Sequence, residues 1–280
     1  NAGTPEFAAK IGQGNLALIR FNTPQNSGEP AGKLRDREMA FFKDPEENSF
    51  YSLISAPLGM TEGIHLIQLE TSGNSANNKR LLFYPVIIEE TEFPGENIRV
   101  PKRMVDYGRK TRKRIKEERE LVMSVTTKRS NEKLWKNEFL LPLDNAITSG
   151  FGAKRTLNRK KLYRHAGLDI KAKKGDRVIA SNSGRVVLAK PLFLGGNALI
   201  IDHGLGLFTA YYHLSKIKAV PGSIVSKGDV VGLSGKTGRA TGPHLHWGVA
   251  LDGEWLNPLS VLTINDAGET HGGITLANAF

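Results

Sequence analysis

From Phe139 onward the chain breaks into apolar runs too short for helices, each closed by a glycine-bearing turn: "HAGLDIK", "RVIA", "GRVVLAK", "NALIIDHG", "LFTAYYHL", "DVVGLSG" and "LHWGVALDG". Runs of this length with tight turns at short intervals specify strands that pair with their neighbours, and the spacing predicts a compact antiparallel β domain ending near Leu262. Residues 1–93 repeat the theme less regularly. "NLALIRF", "FYSLISAPLG", "GIHLIQLE" and "RLLFYPVIIEE" are separated by polar turn segments such as "NTPQNSGEP" and "TSGNSANN", a pattern that predicts a β-sandwich-like domain.

Between the two β regions the character changes. From Arg99 to Arg119 ten basic residues stand against three acidic ones, a local balance of +7. "DYGRKTRKRIKEERELVMSVTT" has no proline, and Ile115, Leu121, Val122 and Val125 fall on one side of a helix. Residues 94–135 are therefore expected to form a basic helical connector. The run lacks the regularly interleaved aromatics that stacking on nucleic-acid bases requires, so nucleic acid is not expected as a partner. The end of the chain, 265–280, is polar and glycine-rich and reads as an extended tail, with His271 solvated. The organisation expected is thus 1–93, 94–135, 136–264 and 265–280: mainly β, with one helix in the connector.

Composition removes several chemistries. The 280 residues include no cysteine, which excludes disulfides, thiolate nucleophiles and cysteine-ligated metals, so any metal must sit on His, Asp or Glu. The 39 Lys and Arg against 28 Asp and Glu give +11, which favours polyanionic or acidic partners, whether nucleic acid, an anionic membrane face or a cell-wall polymer, and charge alone does not choose among them. No stretch approaches the ~20 apolar residues of a membrane-crossing helix. The first residue is Asn1, with no basic-then-apolar leader, which reads as a processed or trimmed chain.

There are only seven histidines, and two of them, His244 and His246 in "TGPHLHWGV", project from the same face of a predicted strand because side chains two apart point the same way. Alone, such a pair is a weak metal signal. "HAGLD" adds His165 and Asp169, a nitrogen and an oxygen donor with Gly167 between them. "TAYYHLS" adds His213 at the end of an apolar strand. Three separate β segments thus carry residues fit for one metal site. His65, inside "GIHLIQLE", reads as a surface or hydrogen-bonded residue. His203 before Gly204 reads as a turn residue, Asp202 as an acceptor for a ligand's ring N–H, and Tyr163 as a half-buried aromatic close to the first histidine.

As a set, "HAGLD", "YYHLS" and "TGPHLHWGV" resemble the three signatures of the lysostaphin-type (LytM-domain) zinc metallopeptidases. The surrounding "SGFGAKR", "GNALIIDHG", "GDVVGLSGKTGRATGPHLH" and "WLNPLSVL" follow the same pattern over about 139–262. The resemblance implies a small antiparallel β domain with a groove crossing Zn2+, and hydrolysis of peptide bonds in bacterial peptidoglycan. It implies that His165, Asp169 and His246 hold the zinc, leaving a fourth position for water, and that His213 and His244 act on that water and on the developing oxyanion. It also implies an exported, periplasmic or cell-envelope protein. The first β domain is similar to non-catalytic domains that precede such enzymes. Family members that lack ligands activate other wall hydrolases, but every ligand position is filled here, so an enzyme is expected. The preceding β domain and the absence of a recognisable wall-targeting module favour a D,D-endopeptidase on directly cross-linked wall, with glycyl-glycine cleavage as the alternative.

Overall fold

The computed structural model describes residues 9–22, 28–43, 49–72, 79–159, 161–264 and 274–276. The chain divides into two compact units, one of residues 1–91 and 263–280 and one of residues 92–262. His271 lies outside the described residues.

In the first unit, two sheets share one core. One has the order Ala9–Gly12, Lys79–Glu89, Gly63–Ser72, Ala31–Leu34, Arg37–Glu38; the other has Ile274–Leu276, Leu16–Asn22, Ser49–Ser55, Phe41–Lys43. Alternation decides which side chains go inside. Ile67 and Leu69 point inward from one strand and Val86 and Ile88 from its neighbour, to meet Ile19, Phe21 and Ile54 from the other sheet. Ile274–Leu276, within the expected tail, pairs in parallel with Leu16–Asn22. The ring Nε2–H of His65 donates to the Thr61 carbonyl at 2.8 Å, a local turn contact.

The second unit is built on an antiparallel sheet whose strands follow the order Ile147–Ser149, Leu168–Lys171, His244–Leu251, Leu207–Leu214, Gly196–Gly204, Gly184–Leu192, Ile224–Val225. The central strands are nearly continuous apolar runs because both faces are covered. The basic segment belongs to this unit. Gly95–Ile98 adds a parallel strand beside Lys154–Leu157, and the helix Arg109–Thr126 packs Leu121, Val122 and Val125 onto Leu188, Leu192, Ile200 and Phe208. The apolar side read from the sequence is the side that packs. Its exposed face carries two i,i+4 ion pairs, Lys113–Glu117 and Lys116–Glu120, each worth a few tenths of a kcal/mol, while a third, Arg114–Glu118 at 2.7 Å, has its carboxylate turned inward.

His203 is not the turn residue its position before Gly204 suggested. Asp202 makes the turn, accepting the Gly204 N–H at 2.7 Å, while His203 is fully buried between the Ser183 carbonyl and the Thr209 hydroxyl, both at 2.8 Å. Asp202 is therefore a turn acceptor and not a partner of a metal-binding ring. Burial pushes the His203 imidazolium down to about 4. The folded unit resists this proton until about pH 4, whereas the unfolded chain takes it near 6.5, so stability present above pH 6.5 is lost on acidification toward 4. The linkage is on the order of 3 kcal/mol. In chelator, the Tm of this unit is expected to fall by about 5–10 °C over that window, and His203→Asn to flatten the fall; an unchanged slope in the variant would count against the assignment.

Candidate metal centre

The site forms where three strands meet. In the register of the sheet Asp169 stands directly opposite His246 and Lys171 opposite His244, while on the other side of the same strand Tyr212 pairs with His246, which brings His213 to the strand end beside them. His165 is delivered by the turn before Leu168–Lys171. Its main chain exchanges hydrogen bonds with Gly152 and Ala153, at 2.8 and 3.0 Å. Gly167 lets this turn lie flat on the neighbouring strand: a Cβ there would stand 2.4 Å from the Trp247 carbonyl oxygen and 2.8 Å from His246 Nε2.

Three donor atoms converge. His165 Nε2 lies 3.1 Å from Asp169 Oδ1 and 3.0 Å from His246 Nδ1, and His246 Nδ1 lies 2.8 Å from Asp169 Oδ1. His165 and Asp169 are buried. The Gly150 carbonyl, which can only accept, sits 2.7 Å from His165 Nδ1 and so fixes the proton there, leaving a lone pair on Nε2. That lone pair faces a carboxylate oxygen and a second ring nitrogen. Burial pushes the His246 imidazolium down, only partly offset by Asp169, so this ring favours its neutral form. Burial would raise the Asp169 carboxyl, but wherever the facing rings carry a proton their hydrogen bonds and charge outweigh it and hold the carboxyl far below the usual carboxylate range, so Asp169 is an anion whichever form the rings take. Three electron-rich atoms at this spacing repel unless a cation sits among them. Ligands of a tetrahedral centre bonded at about 2.0–2.2 Å lie about 3.3–3.6 Å apart, somewhat wider than the 2.8–3.1 Å seen, so a small outward shift of the three donors lets the set take a divalent metal.

The Asp169 carboxylate is held from behind. Arg155, also buried, donates to Asp169 Oδ2 at 2.6 Å through one terminal nitrogen and to Glu96 Oε2 at 2.8 Å through Nε. Ser149 donates to the other Glu96 oxygen, and Ser149 and Arg155 together hold the Glu96 carboxyl down against its partial burial. Neither Arg155 nor Glu96 was singled out in the sequence. "SGFGAKR" contains Arg155, whereas nothing in the connector marks Glu96. Arg155→Met strands two carboxylates and is expected to destabilise the unit by about 3–5 kcal/mol, as broken buried pairs do. Arg155→Lys is expected to recover only part of this, because an ammonium lacks the fork that reaches both. Thermal unfolding of both variants checks it, and a near-native Tm for Arg155→Met would refute it.

His213 and His244 stand over the open side. Their rings are 4.7 Å apart, and His213 lies 6.2 Å from the His246 ring. The Thr237 carbonyl accepts from His213 Nδ1–H at 2.8 Å and the Gly242 carbonyl from His244 Nδ1–H at 2.9 Å, which leaves Nε2 of each ring uncommitted to them, that of His244 being 3.7 Å from Asp169 Oδ1. Burial, then the two neighbouring imidazoles, pushes His213 down to about 3. His213 has φ 62°, a left-handed conformation in which His is one of the better tolerated side chains; it ends the strand and turns the ring inward. Tyr163 is half-buried on the wall of the same cavity, under the Arg239 guanidinium at 5.2 Å. The cavity holds about 750 Å³, and the helix Arg109–Thr126 lines part of it.

Residues 163–258 match the model of Peptidase family M23. The peptidoglycan DD-endopeptidase ShyA of Vibrio cholerae is 39% identical over 121 residues, 42% of this chain and 28% of the relative. The DD-carboxypeptidase/endopeptidase Mpg of Neisseria meningitidis is 41% identical over 97 residues, 35% of this chain and 22% of the relative. The matched region is thus under a third of the length of these relatives. A solved structure from Pseudomonas aeruginosa assigned to peptidase M23 has the same fold, with a TM-score of 0.68 at 24% identity over 89% of this chain and 94% of that chain. The segment 163–258, which carries the His-Asp-His group, thus matches Peptidase family M23.

Proposed function

We propose that the chain is a zinc-dependent endopeptidase that hydrolyses peptide cross-links of bacterial peptidoglycan, with D,D specificity, and that it acts outside the cytoplasm. The observation that carries the reading is the convergence of His165, Asp169 and His246 on one point with His213 and His244 facing its open side. The names of ShyA and Mpg support the substrate and the bond class. Two imidazoles and one carboxylate, with no thiolate, suit zinc and leave a place for water. A bound zinc supplies a charge that lowers the pKa of water to about 7 and polarises the scissile carbonyl.

The residues then divide the work. His165, Asp169 and His246 hold the metal, and Arg155 fixes which Asp169 oxygen faces it. His213 and His244 keep Nδ1–H on backbone carbonyls, so in each ring Nε2 is the nitrogen placed to accept the proton of the attacking water. Having taken it, the ring becomes a donor to the negatively charged oxygen of the tetrahedral carbon and a proton source for the leaving amine.

The test is elemental analysis of purified protein, followed by digestion of purified cross-linked dimers with and without chelator, the products read by mass spectrometry. One zinc per chain and chelator-sensitive loss of dimer are expected. Absence of bound metal with no cleavage would leave the activator reading, and cleavage of pentaglycine alone would replace D,D specificity with glycyl-glycine specificity.

A further inference from the structure

The charges lining the cavity do not balance once their partners are assigned. Its carboxylates are Glu96, Glu118 and Asp169. Each is spent: Glu96 on Ser149 and Arg155, Asp169 on Arg155 and the imidazoles, and Glu118 on Arg114 and the Phe193 N–H, at 2.7 Å each. Arg155 is consumed by the same network. Arg119, Arg164 and Arg239 also line the cavity, and among the described residues none of them has a carboxylate partner. Arg164 lies over the Phe93 ring at 5.4 Å and gives one terminal N–H to the Gly152 carbonyl at 3.3 Å, whereas Arg239 lies over Tyr163 at 5.2 Å, a contact that orients the guanidinium through its face and leaves its N–H edge for a ligand.

Two of the three are fixed to one turn. Glu118, which precedes Arg119 in the helix, accepts the Phe193 N–H, and the N–H of Arg239 donates to the Leu194 carbonyl at 2.9 Å. Adjacent residues of the 193–194 turn thus anchor the backbone positions of both arginines. Arg239 also begins the segment that runs through Thr241 to His244, and its stacking partner Tyr163 is two residues from His165. Arg239 therefore stands on wall segments that carry the site, and Arg119 on the helix that lines the same cavity.

We propose that Arg119 and Arg239 bind free carboxylates of the peptide flanking the scissile bond, making this site selective for an acidic stem peptide over one whose carboxyls are amidated. The inference rests on the peptidase reading above and deepens it. A planar guanidinium binds carboxylate through two parallel N–H groups, and an amide, with one acceptor and its own N–H2, cannot satisfy that fork.

The experiment compares zinc-loaded wild type, Arg119→Gln, Arg239→Gln and the double variant on two cross-linked dimers that differ only in free versus amidated side carboxyls. Wild type is expected to prefer the free-carboxyl dimer by about 10- to 100-fold in kcat/KM, with the preference falling toward one in the double variant. General damage to the fold would lower both rates and leave their ratio alone. Arg119→Gln, on an exposed helical position, gives the same ratio test if the double variant does not fold. Wild type that cuts both dimers equally, or a double variant that keeps the preference, overturns the inference while leaving the peptidase reading intact. Wild type with bound zinc that cuts neither dimer removes both.

Discussion

Asp169→Ala is expected to weaken zinc binding by more than ~100-fold, beyond the 10–100-fold typical of changes behind the ligands, and to bring cleavage of cross-linked dimers to background. Two losses combine. Asp169 Oδ1 is the one oxygen among the three donors, within 3.1 Å of both ring nitrogens, and without it two neutral imidazoles make an incomplete site. The second loss lies behind the carboxylate, where Arg155 is left with a buried guanidinium whose remaining partner is Glu96. Because that second effect can unfold the unit by itself, Asp169→Asn is the sharper variant: it keeps shape and one carbonyl oxygen but removes the negative charge that attracts the cation. Competition against a chelator of known affinity reads the zinc, and thermal unfolding reads the fold. An Asn variant that holds one zinc per chain at wild-type affinity and turns over normally would take Asp169 out of the centre.

The difference between what the sequence disclosed about this centre and what it hid follows from range. His244 and His246 were legible as a pair because strand geometry places alternate residues on one face, a property of three consecutive positions. The segments bearing His165, Asp169 and His213 were legible as donors on separate strands. What local pattern does not contain is the register that sets Asp169 against His246 across 77 residues, and the assignment of roles came from the resemblance of the three motifs to a known family. Glu96 and Arg155 meet across 59 residues through a parallel strand pairing that nothing in the basic segment announces. The helix shows the same division: its apolar spacing marked Leu121, Val122 and Val125, while the surface they cover and the cavity beside it appear only in the fold. His203 failed for a related reason, since a histidine before glycine looks like a turn until Ser183 and Thr209 are seen to bury it.

His213 separates the chemical step from metal binding. Its ring touches no donor of the metal group at hydrogen-bond distance, its Nδ1–H is committed to Thr237, and burial keeps it neutral down to about pH 3, so its Nε2 is a lone pair around neutral pH. Removing it is expected to lower kcat by about 10²–10⁴-fold, the usual range for a positioned proton acceptor, while zinc content stays at one per chain. Alanine at φ 62° adds backbone strain that confuses the reading, so His213→Asn, which tolerates the left-handed region better, is the informative replacement. His244→Ala should cost a similar factor, and the double variant far less than the product of the two, because rings 4.7 Å apart that serve one proton transfer act as a unit. Full zinc occupancy with undiminished kcat in His213→Asn would move the base to His244 alone, whereas loss of zinc would make His213 part of the metal site.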